Sequence, residues 1–281
     1  MPCSSFRPSP APGAASCRRS RRNALRAAAA VLLAPALPLS AQARLALATA
    51  INRTARFRAL SQRAVKAYGQ LYLQVAPLRS REVLELARKQ IRSGLQDLDE
   101  QGWPPEVARL LAEVRKSAGQ LDALLAQAPA KDTYLTASKQ ADYMLATADK
   151  ATQALEQLAP APSARLVNTA GRQRMLSQRL ARDYGLAAAG LGGGGVRGQM
   201  AQDSAEFQAA LAQLTAAPIS TPAIRSALEL GQAQWVFFDA ALKRAPDMRG
   251  LEDVATTSER LLEVMDELTG LYEAALKDVL G

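Results

Sequence analysis

Asn52-Arg-Thr-Ala-Arg-Phe-Arg-Ala-Leu-Ser-Gln-Arg63 returns 116 residues later as Asn168-Thr-Ala-Gly-Arg-Gln-Arg-Met-Leu-Ser-Gln-Arg179. Seven of the twelve positions are identical, and Tyr68-Gly69 recurs as Tyr184-Gly185 at the same offset. A core needs only apolar residues of about the right size. Identity among polar residues is therefore the more telling kind, and it points to a duplicated module. Further along, Pro105, Val107, Leu111, Asp122 and Leu125 align with Pro222, Ile224, Leu228, Asp239 and Leu242 at an offset of 117. The drift of one residue implies a small loop insertion.

The regions around the motif read as helices. Strand-like alternation is absent, and apolar residues recur at three and four, as in Val107, Leu110, Leu111, Val114, Ala118, Leu121 and Leu125. Pro77 is expected to end a helix that starts near Arg44, with Ser80 capping the next. Gly102-Trp103-Pro104-Pro105 is a break, Asp132 or Thr133 caps a fourth helix, and Pro160 and Pro162 separate the halves. Five glycines between Gly190 and Gly195 read as a flexible linker. The pattern predicts an all-α chain of tandem duplicated four-helix up-down bundles, one copy over 44–159 and one over 163–281. Periodicity leaves open a single eight-helix bundle, a solenoid, or direct packing of the two motif helices on each other.

Residues 1–43 hold six arginines and no acid. Ser20-Arg21-Arg22-Asn23-Ala24-Leu25-Arg26, the apolar run Ala27 to Leu39 and the small-residue site Ala41-Gln42-Ala43 together describe a twin-arginine-type export signal cleaved after Ala43. Both cysteines, Cys3 and Cys17, lie inside it, so the mature chain is expected to carry no disulfide and no thiolate chemistry. The chain has 35 basic and 26 acidic residues, a net +9; without the six leader arginines the balance is 29 against 26, or +3. That small excess and the few aromatics argue against nucleic acid as a partner. There is no histidine, which excludes histidine bases, ligands and phosphoacceptors. No nucleotide loop or metal motif is present. The expectation is a protein that is not an enzyme and uses no cofactor or metal.

A helical wheel divides the motif arginines into two groups. At about 100° per residue, Arg172 and Arg179, with Arg56 and Arg63, border the apolar stripe. Their heads are placed to pair with acids on neighbouring helices. Arg58 and Arg174 fall away from that stripe, toward solvent or another helical surface. If two such surfaces meet, the guanidinium groups repel, and a bound oxyanion would reverse the sign. Ser61 and Ser177 are expected to donate hydrogen bonds between helices. Asp122 and Asp239 are expected to pair with a motif arginine of their own half.

The run Val167 to Arg179, and less closely Ile51 to Arg63, resembles the signature of the PilJ-type N-terminal domain of type IV pilus chemotaxis transducers. It is similar also to the periplasmic domain of nitrate/nitrite sensor kinases. The resemblance implies a helical sensory bundle in which one motif arginine per subunit grips nitrate or nitrite at a dimer interface. The matching positions are Arg174 and, through the repeat, Arg58, supported by Asn52, Arg56, Ser61, Gln62, Arg63, Asn168, Arg172, Ser177, Gln178 and Arg179. The implied setting is the periplasm. The implied partners are a small inorganic anion and a membrane-bound sensor or transducer protein, with homodimerisation as a further expectation. Because the sequence stops after its eighth helix, it reads as the sensing part alone.

Overall fold

Pro77, Pro105 and Pro222 each open a helix, where a missing N–H is tolerated and the fixed φ is already helical. The computed structural model describes residues 38–99, 102–159, 163–219 and 221–280. Among them it holds eight helices and no strand: α1 (Pro38–Tyr72), α2 (Pro77–Asp99), α3 (Pro105–Leu125), α4 (Lys131–Leu158), α5 (Ser163–Ala188), α6 (Gly193–Thr215), α7 (Pro222–Leu242) and α8 (Met248–Leu280). The arginine-rich part of the expected leader, with Cys3 and Cys17, lies outside the described residues, as do Pro160 and Pro162. No helix of the described residues is long and apolar enough to cross a membrane.

Several helix ends differ from expectation. Pro77 starts α2, and α1 has already stopped at Tyr72. Ser80 caps nothing. It sits inside α2, and its hydroxyl lies 2.8 Å from the Val75 carbonyl. The cap of α4 is Ala130, with no side-chain bond, and not Asp132 or Thr133. The glycine run is no linker. Gly190 and Gly192 take left-handed φ values of 67° and 102° in a tight turn, and Gly193 to Gly195 already form the first turn of α6. The same turn joins α1 to α2. Leu73 N bonds Gly69 O and Val75 N bonds Gln70 O, while Ala189 N bonds Gly185 O and Leu191 N bonds Leu186 O. In the earlier turn Gln74 (φ 59°) and Ala76 (φ 39°) hold the left-handed positions that glycines occupy in the later one.

Leu39–Gly281 forms one compact unit, with a core cluster that draws on all eight helices. Bonds between motif helices fix their direction. Arg58 reaches the carbonyl of Asn168, Arg174 that of Asn52, Lys66 the amide of Gln178, and Arg182 that of Gln62. Helical side chains lean toward their own N-terminus, so these reciprocal pairs describe two parallel helices in register. On α4, Asp149 and Asp142 pair with Arg58 and Arg182; on α8, Glu273, Asp266 and Glu259 pair with Asn52, Arg56 and Arg63. Position falls on one helix as it rises on the other, so α4 and α8 run antiparallel to the motif helices. Thus α1, α4, α5 and α8 make the centre. The α2–α3 and α6–α7 hairpins pack outside it.

The duplicated Tyr-Gly pair has a shared purpose. A Cβ on Gly69 would fall 2.2 Å from Tyr134 Cζ, and one on Gly185 3.0 Å from its hydroxyl. Tyr134 fills the slot between the two glycines and donates to the Arg182 carbonyl. Tyr68 and Tyr184 tie down matching loops, donating to Ala128 O and to Ala245 O.

Candidate functional site

The motif residues meet along the seam between α1 and α5. Arg58 and Arg174 do not face solvent. They are 0% and 1% exposed, so of the two surroundings the wheel left open, solvent or another helix, each meets the other motif helix. The wheel assigned each motif helix one buried stripe, whereas these helices are buried over most of their surface, with Arg53 and Arg165 exposed, and the face away from the stripe is where they meet each other. Gly171 makes the approach possible. A Cβ there would stand 3.1 Å from Arg174 Nη2, 3.2 Å from the Ala55 Cβ and 3.4 Å from Arg58 Nη2. The two guanidinium heads are therefore neighbours, both standing over one glycine.

Each head also has a carboxylate. Arg58 Nη1 donates to Asp149 at 2.5 Å, and Arg174 Nη1 donates to Asp266 at 2.7 Å. These aspartates are shared. Asp266 also takes Arg56, and Asp149 lies 3.8 Å from Arg172, whose closer partner is Glu206. Burial pushes the Arg174 guanidinium down to about 10; Asp266 opposes this, and the charges of Arg56 and Arg58 add to the fall. Burial lowers Arg58 too, against the opposing pull of Asp149.

The symmetry is imperfect in one informative place. Arg174 Nη2 finds both the carbonyl and the side-chain oxygen of Asn52, the latter at 2.8 Å. Arg58 Nη2 finds only the carbonyl of Asn168. Asn168 Oδ1 and Arg174 Nε are left buried without a partner. An orphaned buried group costs about 1–3 kcal/mol. Arg174 also borders a cavity of about 40 Å³, which it lines with Arg56, Arg63 and Asp266 and which Arg58, Asn168 and Gly171 do not line. A single water needs only about 10–15 Å³ by this kind of measure.

The acids that organise the seam were not read from the sequence, though a signal for them existed. Asp142, Asp149 and Glu156 on α4 are spaced by seven, and Glu259, Asp266 and Glu273 on α8 repeat them at an offset of 117. Seven residues are two helical turns, so each trio forms a ladder on one face. The ladders cross between halves. Asn52 donates to Glu273 and Asn168 to Glu156. Lys66 meets Glu259, and Arg182 meets Asp142. Lys66 Nζ has three acceptors, Gln178 Oε1, Ser258 Oγ and Glu259 Oε1, matching the three hydrogens of an ammonium. Burial would raise the Glu259 carboxyl, but Lys66 and Arg63 hold it at about 2.

The remaining motif residues are placed as follows. Arg63 grips Glu259 and Arg179 grips Asp203, in keeping with pairing to adjacent helices. Ser61 and Ser177 do not bridge helices. Each hydroxyl turns back to its own helix, onto the Arg58 and Arg174 carbonyls, because a serine in a helix finds the carbonyl of the preceding turn closest. Gln62 and Gln178 donate to those serines, and also to Asp142 and to the Ser258 carbonyl. Asp122 pairs with Arg88 and Arg92, and Asp239 with Lys243. Neither meets a motif arginine, because both sit on outer helices. Asp97 and Asp99 pair with Arg53 and Arg115. Among the described residues no group of acids is arranged to hold a metal.

Residues 161–267 match the PilJ family, described as the type IV pili methyl-accepting chemotaxis transducer N-term. The second half of the chain is PilJ-like. No curated protein and no solved structure matches the chain. The PilJ-like stretch contains Arg174 and the whole second motif and runs just past Asp266. It thus includes one guanidinium–carboxylate pair of the seam, and the other pair comes from α1 and α4.

Proposed function

We propose that the chain is a non-catalytic sensory module, exported to the periplasm, built from two fused PilJ-like units. In this reading the α1–α5 seam does within one chain what a subunit interface does in a dimer. Its ligand is a small oxyanion of the nitrate or nitrite kind, taken beside Arg174 with Arg56 and Arg58 close by, and its output is contact with a membrane-bound transducer. One observation carries this. Two desolvated guanidinium groups are brought together at Gly171, and Arg174 Nε is left with a hydrogen to donate. A planar fork in a low-dielectric site suits a planar oxyanion.

A second reading is favoured by Asp149 and Asp266, which already neutralise the two heads. In it the motif is an internal tie, and the protein is an adaptor that binds nothing small. Titration separates the two. On the binding reading, nitrate or nitrite raises the melting temperature against a chloride control at equal ionic strength. The stabilisation is about 2.7 kcal/mol at one hundred times the dissociation constant. Arg174→Lys, which keeps charge but loses the fork, abolishes the shift. Asp266→Asn, which removes the competing carboxylate, strengthens it. No shift in the native protein, together with none in Asp266→Asn, rejects the binding reading and leaves the adaptor.

A further inference from the structure

One helix of the second half carries an apolar face that its counterpart in the first half does not. On α7, Leu230, Val236 and Phe237 are 46%, 65% and 62% exposed. With Ala233 and Ala240, also exposed, Leu230 and Phe237 form a stripe at alternating spacings of three and four. The opposite side of α7 is fully used, with Trp235 stacked on Phe207 at 4.3 Å between ring centres. At the offset of 117, the positions of Leu230, Ala233 and Phe237 on α3 hold Glu113, Lys116 and Gln120. Those are engaged or solvated polar groups, Glu113 bonding Arg109 and Gln120 accepting from Gln140. The apolar face is thus specific to α7, and not a by-product of how this fold packs its outer hairpins.

We propose that this face pairs with α7 of a second copy of the chain, antiparallel and about a twofold axis at Val236. The pattern is self-complementary in that register. Phe237 of each copy meets Ala233 of the other and Leu230 meets Ala240, so large residues fall opposite small ones. Val236 meets itself on the axis. Glu229, on the edge of the stripe, comes level with Lys243 of the other copy, once on each side. Lys243 at present reaches only Asp239 of its own helix. A parallel pairing would set Phe237 on Phe237 and Ala233 on Ala233, and would leave Glu229 far from Lys243. A contact made by one helix is at the small end of specific interfaces, below about 1,200 Å², so the dimer is weak and concentration-dependent.

Sedimentation velocity on the whole chain, from dilute to the solubility limit, tests this. The expected result is a monomer–dimer equilibrium that Val236→Glu with Phe237→Glu abolishes. Glu229→Lys alone and Lys243→Glu alone weaken it, and the two together restore it. In a chain with Cys3 and Cys17 replaced by serine, Val236→Cys forms a covalent dimer under mild oxidation. A native protein that stays monomeric throughout overturns the proposal, even if the same face binds some other helix. So does a dimer indifferent to the glutamates. A dimer lost with the glutamates but not restored by the charge swap overturns the antiparallel register.

Discussion

Glu259 shows most clearly how the seam is held. It receives Arg63 and Lys66, both belonging to the opposite half, and it is buried. Its carboxyl is held at about 2 against an ordinary 4.5. A carboxyl lowered on folding adds stability that is complete above its unfolded value. That stability drains away as pH falls toward the folded value, here from about 4.5 to about 2. Glu259→Gln leaves a buried ammonium short of its counter-charge, and breaking such a pair costs about 3–5 kcal/mol at neutral pH. The expected outcome in denaturant titrations at a series of pH values is a large gap between native and variant at pH 7. The gap narrows through that acid window as the native carboxylate protonates. A constant gap down to pH 2 would mean that the charge of Glu259 does not support the fold.

At the level of helices, the slot for Tyr134 makes a sharp demand. Replacing glycine by alanine inside a helix ordinarily gains about 1 kcal/mol. At Gly69 the new methyl would meet the Tyr134 ring at 2.2 Å, and that ring is buried and anchored through its hydroxyl. Gly69→Ala is therefore expected to lose stability, by about 1–3 kcal/mol as overpacked cores do, measured as a lowered urea midpoint. Gly119→Ala, on the exposed side of α3 with nothing near its Cβ, should show the ordinary gain. The two glycines also mark the limit of what the sequence revealed. The helices and the repeat were legible because both are periodic in one dimension. The motif arginines stood out because their identity is repeated. Whether Arg58 and Arg174 face solvent or another helix stayed open, since a wheel shows a helix its own apolar stripe and not what covers its other side. Tyr134 as the shared occupant of Gly69 and Gly185 was out of reach, for it has no partner at the offset of 117, where Leu251 stands.

Across the molecule, the question is whether the two halves are separate folding units or one. The sequence suggested two bundles in series, each with its own interior. Asn52–Glu273, Lys66–Glu259, Asn168–Glu156 and Arg182–Asp142 all cross between halves, and Lys66, Glu259 and Arg182 are buried. If either half opened alone, it would strip Lys66 and Glu259 of each other, and breaking such a buried pair costs about 3–5 kcal/mol. Cooperativity should follow from that linkage. The chain supplies its own reporters: its two tryptophans lie one in each half, Trp103 packed against the core before α3 and Trp235 buried on α7. In Trp103→Phe and Trp235→Phe variants, each carrying a single tryptophan, the fluorescence transitions in urea are expected to share midpoint and slope once corrected for the small cost of each replacement. They should also coincide with the loss of helical circular dichroism. Two separated transitions, with the Trp235 signal surviving after the Trp103 signal has gone, would show that the crossed pairs do not couple the halves.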